Sequence, residues 1–314
     1  MNYLFLLDRI KAEDFLNENS DKIFGDNCLV KINKIERDKT YNEEGSLNIL
    51  YNLIIDNKEC LIRVSTSTFL LKEHDYNVML YLYKNGFNKA PFLVPQPFAY
   101  LRKERILFYE NIIGQKFADV LKQESAELEQ HIKNCAFLAQ KIHSLKPPSF
   151  ELFNPQSLFE NFQFQEISKK FPKIKNLNLV VKKIQSSLPR NKKNFCHGDF
   201  NPNNLIIKKD KIYLIDFGNT SIFYKEIDLA SFLAHLRLML GKDQPLFEKL
   251  EQTFLSTYGD FDEKILYLLM ALIDSRLLEI SIVFKNANYD TNFIFECLND
   301  DLERSKINFQ NAQT

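Results

Sequence analysis

Apolar positions in the first third of the chain alternate with polar ones, which is typical of half-buried strands. The alternation predicts strands over 28–36, 48–55, 59–66, 97–102 and 105–110. Asp56-Asn57-Lys58 separates the second strand from the third and indicates a β-hairpin. Apolar residues at helical spacing predict a short amphipathic helix over 9–18 and a longer helix over 69–84.

The pattern changes after Gly114, where helical spacing becomes dominant. Apolar residues recur at this spacing over 115–146, and the polar segment 157–187 is predicted to be helical in pieces. A short hairpin then follows, with strands at 205–207 and 212–215 that turn at Lys209-Asp210, and the chain after Asp228 is predicted to be helical. A strand-rich third before a helix-rich remainder predicts an α+β, two-lobed plan with its join near 110–114.

Composition limits the size class, the partners and the compartment of the protein but does not indicate a reaction. The 314 residues are enough for two domains, and 41 Lys and Arg balance 41 Asp and Glu. A generic binder of nucleic acid or of membrane surfaces would show a basic excess, so neither partner is expected. The five cysteines are widely scattered, which favours free thiols in a reducing, cytoplasmic compartment. The N-terminal apolar run stops at Asp8, and no apolar stretch approaches the ~18 residues of a membrane span.

Candidate chemistry concentrates in residues 195–220, FCHGDFNPNNLIIKKDKIYLIDFGNT. Phosphoryl transfer needs positioning, charge neutralisation by a metal ion, and a group that orients the attacking hydroxyl. Asp199 is the candidate for that orienting group. Asn204 and Asp216 offer the oxygen ligands that Mg²⁺ prefers, and the spacing of the three matches the protein-kinase pattern. His197 is predicted to support the loop through hydrogen bonds to the backbone.

HGDFNPNN followed by LIDFG resembles the aminoglycoside phosphotransferase and choline kinase family, whose members are relatives of protein kinases. The resemblance continues in LAQKIHSLK (138–146), in EIDLASFL (226–233), and in VPQP and ILFYENIIG before the predicted join. It implies an α+β, bilobal, protein-kinase-like fold. Residues 1–111 would form an N-lobe with a nucleotide-binding antiparallel sheet and one main helix. Residues 112–314 would form a mainly helical C-lobe with the catalytic loop around Asp199, the metal loop around Asp216 and the acceptor site.

The resemblance also implies where the nucleotide would bind. EEGSLNILY (43–51) is similar to the loop that covers the phosphates, with Gly45, Ser46 and Asn48 as candidate contacts. The backbone of Glu110 and Ile112 would hold the adenine at the hinge. Backbone contacts leave no side-chain signature, so the pattern does not separate ATP from GTP.

At the position where the family usually has a lysine for the phosphates, this sequence has Arg63. Arginine keeps the charge and binds phosphate in a bidentate manner. Its partner would be an acid on the following helix, with Asp75 favoured and Glu73 as the alternative. The other possibility is a surface ion pair between strand and helix.

Two features favour a small acceptor over a protein substrate. Protein kinases typically place an arginine before the catalytic aspartate, whereas this chain has Gly198, which cannot pair with a phosphate. No Ala-Pro-Glu follows Asp-Phe-Gly, and the chain passes directly from Gly218 to Asp228 and a helix. Asp228 is predicted to hold the catalytic loop through backbone hydrogen bonds.

The sequence therefore predicts an ATP- and Mg²⁺-dependent kinase for a small-molecule hydroxyl, of an aminoglycoside, amino alcohol or sugar. A nucleotide-binding pseudokinase of the same fold is the alternative, and a protein kinase is a weaker one. The acceptor and the oligomeric state are not readable from the sequence. Acids on the helical part are weak candidates for an acceptor site, because most are expected to be solvated: Glu160, Glu166, Asp274 and Glu279.

Overall fold

The computed structural model describes residues 3–38, 46–67, 72–123, 127–160, 162–170, 172, 176–190, 193–283 and 290–306. The chain divides into two compact units. The first comprises Met1–Gln115 and Ile206–Gly218, and the second comprises Lys116–Leu205 and Asn219–Thr314.

The first unit is built around a five-stranded antiparallel sheet with short helices. Its helices are a 3-10 turn at Leu4–Leu7, α1 (Arg9–Glu18), α2 (Ser20–Phe24) and α3 (Glu73–Lys84). Its strands in the first 115 residues are β1 (Val30–Arg37), β2 (Ser46–Ile55), β3 (Lys58–Ser67), β4 (Asn88–Lys89), β5 (Phe92–Leu93), β6 (Pro97–Leu101) and β7 (Ile106–Glu110). The sheet order is β1-β2-β3-β7-β6, and each neighbouring pair is antiparallel.

The predicted hairpin between β2 and β3 is confirmed, and its turn contains two residues. Asp56 and Asn57 both have positive φ, 48° and 66°. Two successive residues with positive φ make a type I′ turn, whose twist matches that of the flanking strands. Asp and Asn tolerate this conformation better than other non-glycine residues, which explains why the sequence turns here.

A second five-stranded sheet holds the hairpin that was predicted after the HGDFNPNN segment. Its order is β4-β5-β11-β10-β8, where β8 is Gln115–Lys116, β10 is Leu205–Lys208 and β11 is Lys211–Leu214, and β11 pairs in parallel with β5. Gly114 lies against this hairpin, and a Cβ on it would be 2.7 Å from the carbonyl oxygen of Ile207. Glycine is therefore required where the chain leaves the first unit, shortly before β8 (Gln115–Lys116).

The second unit is mainly helical, as predicted. Its helices are α4 (Phe117–Val120), α5 (Leu128–His143), α6 (Phe164–Lys170), α7 (Leu177–Ser187), α8 (Glu226–Leu240), α9 (Gln244–Tyr258), α10 (Glu263–Val283) and α11 (Thr291–Arg304), with 3-10 turns at Pro155–Phe159 and Pro202–Asn204. The apolar periodicity of 115–146 is divided between α4 and α5. Two three-residue strands were not predicted, β9 (Asn194–Cys196) and β12 (Ser221–Phe223), because they are too short to show an alternation.

Stacked aromatic rings anchor the catalytic loop in the core of the second unit. Phe232 of α8 stacks on Phe254 of α9 at 4.4 Å between centroids, and Phe200 of the loop packs on Phe232 at 5.8 Å. All three rings are fully buried. Burial of an aromatic ring is among the largest apolar contributions a side chain makes, so Phe200 fixes the loop beside Asp199. In the described part of the chain, no helix is long and apolar enough to span a bilayer.

Candidate active site

Asp199 sits on the loop between β9 and the Pro202–Asn204 turn, and two amides hold its carboxylate. The side-chain nitrogen of Asn201 donates to Oδ1 at 2.7 Å, and that of Asn204 donates to Oδ2 at 3.0 Å. Asn204 also donates to the Asp199 carbonyl at 2.9 Å. Because its nitrogen is engaged, the amide oxygen of Asn204 is the atom that remains to accept a bond or bind a metal ion.

Asn201 was not predicted as a site residue. It precedes Pro202 and accepts from the backbone N–H of Asn203 at 2.9 Å, as an N-cap does. The Asn-Pro dipeptide is a signal for a turn start with an asparagine cap, and that signal was available in the sequence. The second hydrogen bond, from its nitrogen to Asp199, makes Asn201 a part of the site.

Asp228, at the start of α8, accepts three hydrogen bonds and is completely buried. Its Oδ2 accepts from the N–H of His197 at 2.8 Å and from His143 Nε2 at 2.9 Å, and its Oδ1 accepts from the N–H of Gly198 at 2.7 Å. Burial by itself would raise the pKa of Asp228, but the hydrogen bonds and charges of the two histidines outweigh it and lower that pKa. The carboxylate thereby holds the backbone just before Asp199.

His197 lies in the same buried layer, with a ring that meets Phe200 edge-on at 6.3 Å. Its backbone N–H donates to Asp228 at 2.8 Å. Cys196 is the third ligand-type side chain near His143 and Asp228. Its thiol donates to the carbonyl oxygens of Phe223 and Tyr224, and burial raises its pKa well above the usual range. The three side chains are thus engaged in hydrogen bonds within the protein, which support the backbone of the loop.

Gly198 has a φ of +82°, and a Cβ there would lie 2.1 Å from the carbonyl oxygen of Asn219. Left-handed backbone disfavours any side chain, and the carbonyl leaves no room for one. The backbone at this position therefore excludes an arginine before Asp199.

We expect Gly198→Ala to lower the free energy of unfolding by about 2–4 kcal/mol, from left-handed strain and the collision with Asn219 together. Gly25→Ala is the matched control, because Gly25 has a φ of +87° but no atom within 4 Å of its Cβ position. Gly25→Ala should lower the free energy of unfolding by only about 1–2 kcal/mol. Urea titration of both variants measures the difference. Equal losses would show that the contact with Asn219 has no cost.

Asp216 ends the β10–β11 hairpin in the first unit, and its side chain is exposed. It is a non-glycine residue with a φ of +66°, a conformation found mainly where the surroundings impose it. The following Phe217 is buried, and its carbonyl oxygen is 3.0 Å from His74 Nε2 of α3. The hairpin and α3 therefore fix the loop that presents the Asp216 carboxylate to solvent.

The predicted pairing of Arg63 with an acid on α3 is wrong in this structure. Arg63 Nη1 donates to Asp38 Oδ2 at 2.9 Å, beyond the end of β1. Asp75 instead accepts from Lys72 at 3.1 Å, and Glu73 pairs with Arg102. The physical reason is local competition, since Lys72 lies three residues before Asp75 and takes its carboxylate.

Arg63 and Asp75 nevertheless lie in one electrostatic neighbourhood. Tyr109 of β7 stands opposite Arg63 in the β3–β7 register. Burial raises the pKa of its phenol, the charge of Arg63 lowers it, and the charges of Asp75, Asp216 and Asp38 raise it. One cation and three carboxylates thus act on the phenol of a single half-buried side chain in the first unit.

At the predicted hinge, the N–H of Glu110 donates to the Gln96 carbonyl at 2.8 Å, and the N–H of Asn111 donates to the Leu61 carbonyl at 2.9 Å. An adenine contact at Glu110 would therefore use its carbonyl. Ile112 follows as a half-buried residue. In the phosphate loop, Ser46 and Asn48 begin β2 and pair with Ser67 and Ser65 of β3, whereas Gly45 lies outside the described residues.

Two of the four helical acids proposed for an acceptor site are not solvated as expected. Asp274 is fully buried and accepts from Arg237 at 2.7 Å. Glu279 is buried as well, and it accepts from Arg276 at 2.8 Å and from the N–H of Gln163 at 2.6 Å. Both carboxylates are occupied by structural partners. Glu160 and Glu166 are exposed, as expected.

The model of the phosphotransferase enzyme family, APH, matches residues 51–263. The chain belongs to the phosphotransferase enzyme family. The match includes the catalytic loop, Asp216, Asp228 and Arg63, and it confirms the resemblance drawn from HGDFNPNN and LIDFG. No curated protein sequence matches this phosphotransferase-family chain significantly.

Solved structures of the family share its fold. Spectinomycin phosphotransferase APH(9)-Ia, solved with ADP and spectinomycin, superimposes with a TM-score of 0.57 at 13% identity, covering 96% of this chain and 98% of that chain. Choline kinase LicA from Streptococcus pneumoniae gives 0.58 at 15% identity, with 94% and 98% covered. ADP-bound APH(2'')-Ib gives 0.56 at 16% identity, with 93% and 97% covered. The α+β, protein-kinase-like fold predicted from the sequence is confirmed.

Proposed function

We propose that this phosphotransferase-family chain is an ATP- and Mg²⁺-dependent kinase that transfers the γ-phosphoryl group to a hydroxyl of a small molecule. The observation that carries the proposal is the arrangement of Asp199, whose carboxylate is oriented by two amides on a loop tied to Asp228. Family membership, and structural neighbours solved with ADP or AMP, support a nucleotide as the donor.

Asp199 is proposed to accept a hydrogen bond from the acceptor hydroxyl and to direct its oxygen toward the phosphorus. Phosphoryl transfer asks little covalent chemistry of the protein, so orientation is the main contribution expected of this group. A carboxylate fixed at both oxygens by Asn201 and Asn204 is suited to it, because the loss of side-chain freedom precedes substrate binding.

Asn204 and Asp216 are proposed to hold Mg²⁺, which supplies charge neutralisation at the phosphates. The donor set fits, since one amide oxygen is left over after the bonds to Asp199 and the Asp216 carboxylate is exposed. Arg63 is proposed to contact the phosphates, together with Gly45 and with Ser46 and Asn48 at the start of β2. Glu110 and Ile112 would contact the base, and ATP and GTP are not separated by these groups.

A small acceptor is favoured by the segment that follows Gly218. This segment forms β12, which pairs with β9, and α8 begins at Glu226. The short path from Gly218 to α8 is therefore taken up by a strand that pairs with β9, which leaves little room for an activation loop or a peptide platform. Among the neighbours, one was solved with spectinomycin and another is a choline kinase, and spectinomycin and choline are both small molecules.

A nucleotide-binding pseudokinase is the second candidate. It is favoured by one observation, the ion pair of Arg63 with Asp38, which would compete with phosphate for the guanidinium.

The test is an assay of ADP release with ATP and Mg²⁺ against aminoglycosides, amino alcohols and sugars, run beside a thermal-shift titration with ATP. Acceptor-dependent ADP release in one class supports the proposal. A thermal shift with ATP but no turnover on any acceptor would favour the pseudokinase. Transfer of label from ATP to generic proteins would favour a protein kinase, and no response to ATP at all would overturn both nucleotide-based proposals.

A further inference from the structure

Tyr258, the last residue of α9, forms a hydrogen bond with His143, a contact that the sequence did not predict. Its hydroxyl oxygen lies 2.8 Å from His143 Nδ1 at the end of α5. The two rings meet edge-on at 5.7 Å, and Tyr258 is only 5% exposed. This contact is therefore shielded from water. In the protein interior a hydrogen bond is stronger than in water, and a missing partner is costly.

From His143, the bonds continue to the residues before Asp199. His143 Nε2 lies 2.9 Å from Asp228 Oδ2, and Asp228 accepts the backbone N–H groups of His197 and Gly198. Tyr258 is thus connected through two side chains to the backbone that carries Asp199. We call the series Tyr258, His143 and Asp228 the loop relay.

The protons of the loop relay follow from burial and charge. The pKa of Asp228 is lowered despite its burial, so it is a carboxylate and needs a proton from His143 Nε2. Burial raises the pKa of the Tyr258 phenol, so the hydroxyl keeps its proton and can donate it to Nδ1. With a proton on Nε2, the His143 ring donates to Asp228 and can accept from the Tyr258 hydroxyl at Nδ1, so this arrangement satisfies both contacts.

The end of α9 is itself held in place, so the hydroxyl is not free to swing away. Gln140 Nε2 donates to the Tyr258 carbonyl at 2.6 Å. The Lys225 ammonium lies 5.8 Å from the Tyr258 ring centroid and donates to the Asp260 carbonyl at 2.5 Å. The other charged or titratable groups that act on the Tyr258 phenol are Glu226, Asp228, Cys196 and Asp260.

We infer that Tyr258 is a positioning residue for phosphoryl transfer, acting through His143 and Asp228 on the backbone that orients Asp199. This inference rests on the proposed function. The relay makes the C-terminus of α9 a part of the catalytic apparatus, although Tyr258 does not touch Asp199.

The test uses Tyr258→Phe, which keeps the ring and removes only the hydroxyl. We expect kcat to fall about tenfold, because a small misplacement of a catalytic group has a large cost, while KM for ATP and acceptor changes less than about twofold. In ¹⁵N spectra of histidine side chains, His143 should change from the single Nε2-protonated tautomer to a mixture. The chain has five histidines, so their ring signals are few enough to follow individually.

Tyr267→Phe is the matched control. Tyr267 is also buried and its hydroxyl also has a side-chain partner, Arg304, but its helix α10 has no part in the relay. This variant should leave kcat and the His143 tautomer unchanged.

The two proposals fail in different ways. If wild type transfers phosphate to no acceptor, the proposed function fails, while the tautomer measurement still tests the relay. If wild type is active, unchanged kcat in Tyr258→Phe overturns the positioning role. A wild-type His143 without a proton on Nε2 overturns the relay irrespective of activity, because it could not donate to Asp228.

Discussion

Asp199→Asn is expected to lower kcat by about 10²–10⁴-fold, the range typical for loss of a group that handles a proton in the transition state. The amide has nearly the same shape as the carboxylate but cannot accept the acceptor's hydroxyl proton through an anionic oxygen. The new side chain has only one oxygen acceptor, and its NH₂ group would face an amide nitrogen that is itself a donor. One of the two hydrogen bonds from Asn201 and Asn204 is therefore lost. Both effects act on the transition state.

Nucleotide affinity should survive this change, because the residues proposed to bind phosphates lie elsewhere in the chain. We expect the Kd for ATP, measured by calorimetry, to remain within about twofold, since a loss confined to kcat marks an interaction made in the transition state. Asp210→Asn is the matched control, because Asp210 is exposed at the turn of the β10–β11 hairpin. Full activity in Asp199→Asn would remove Asp199 from the mechanism.

Local sequence signals predicted the elements whose geometry is set by neighbouring residues. The hairpin at Asp56-Asn57 followed from turn chemistry and alternation. Helical spacing predicted α1 at both ends and α3 at its C-terminal end, and residues 69–71 of the predicted second helix lie outside the described residues. The catalytic loop was recognisable because its functional groups lie within 26 residues of one another. Spacing along the chain is informative there because a short loop and hairpin leave few arrangements open.

Contacts between distant segments could not be predicted in the same way. Arg63 has several acids within reach of a long side chain, and the choice of Asp38 depends on where the end of β1 lies. From sequence alone, an aspartate on a helix such as Asp274 is expected to be solvated. Its burial depends on Arg237, which lies between it and Asp301 in the folded chain. The pairing of Tyr258 with His143 joins residues 115 positions apart, and no periodicity encodes it.

Arg237→Met is expected to lower the free energy of unfolding by about 3–5 kcal/mol, the range for breaking a buried ion pair from one side. Arg237 of α8 donates to Asp274 of α10 at 2.7 Å and to Asp301 of α11 at 2.6 and 3.1 Å. The two carboxyl groups are 0% exposed and the guanidinium residue is 4% exposed. Methionine fills much of the volume but leaves two carboxyl groups in the core without a cation.

The loss in the free energy of unfolding of Arg237→Met should depend on pH. Burial raises the pKa of Asp274 well above its usual range, the charge of Arg237 lowers it, and the charge of Asp301 raises it again. Removal of Arg237 therefore raises this pKa further. A group with a raised folded-state pKa stabilises at low pH and loses that contribution as the pH rises through its folded-state pKa. We expect a smaller loss at about pH 5 than at about pH 8, because the carboxyl group can take up a proton when pH falls.

Urea unfolding of two comparison variants separates charge from packing. Arg102→Met removes the same side chain from an exposed pair with Glu73 and should cost less than about 1 kcal/mol. Adding Asp274→Asn to Arg237→Met should recover part of the loss, because one buried carboxyl group is removed while its shape is kept. A loss that is independent of pH and unaffected by Asp274→Asn would mean that Arg237 contributes through packing, including its contact with the Phe247 ring at 5.8 Å, and not through charge.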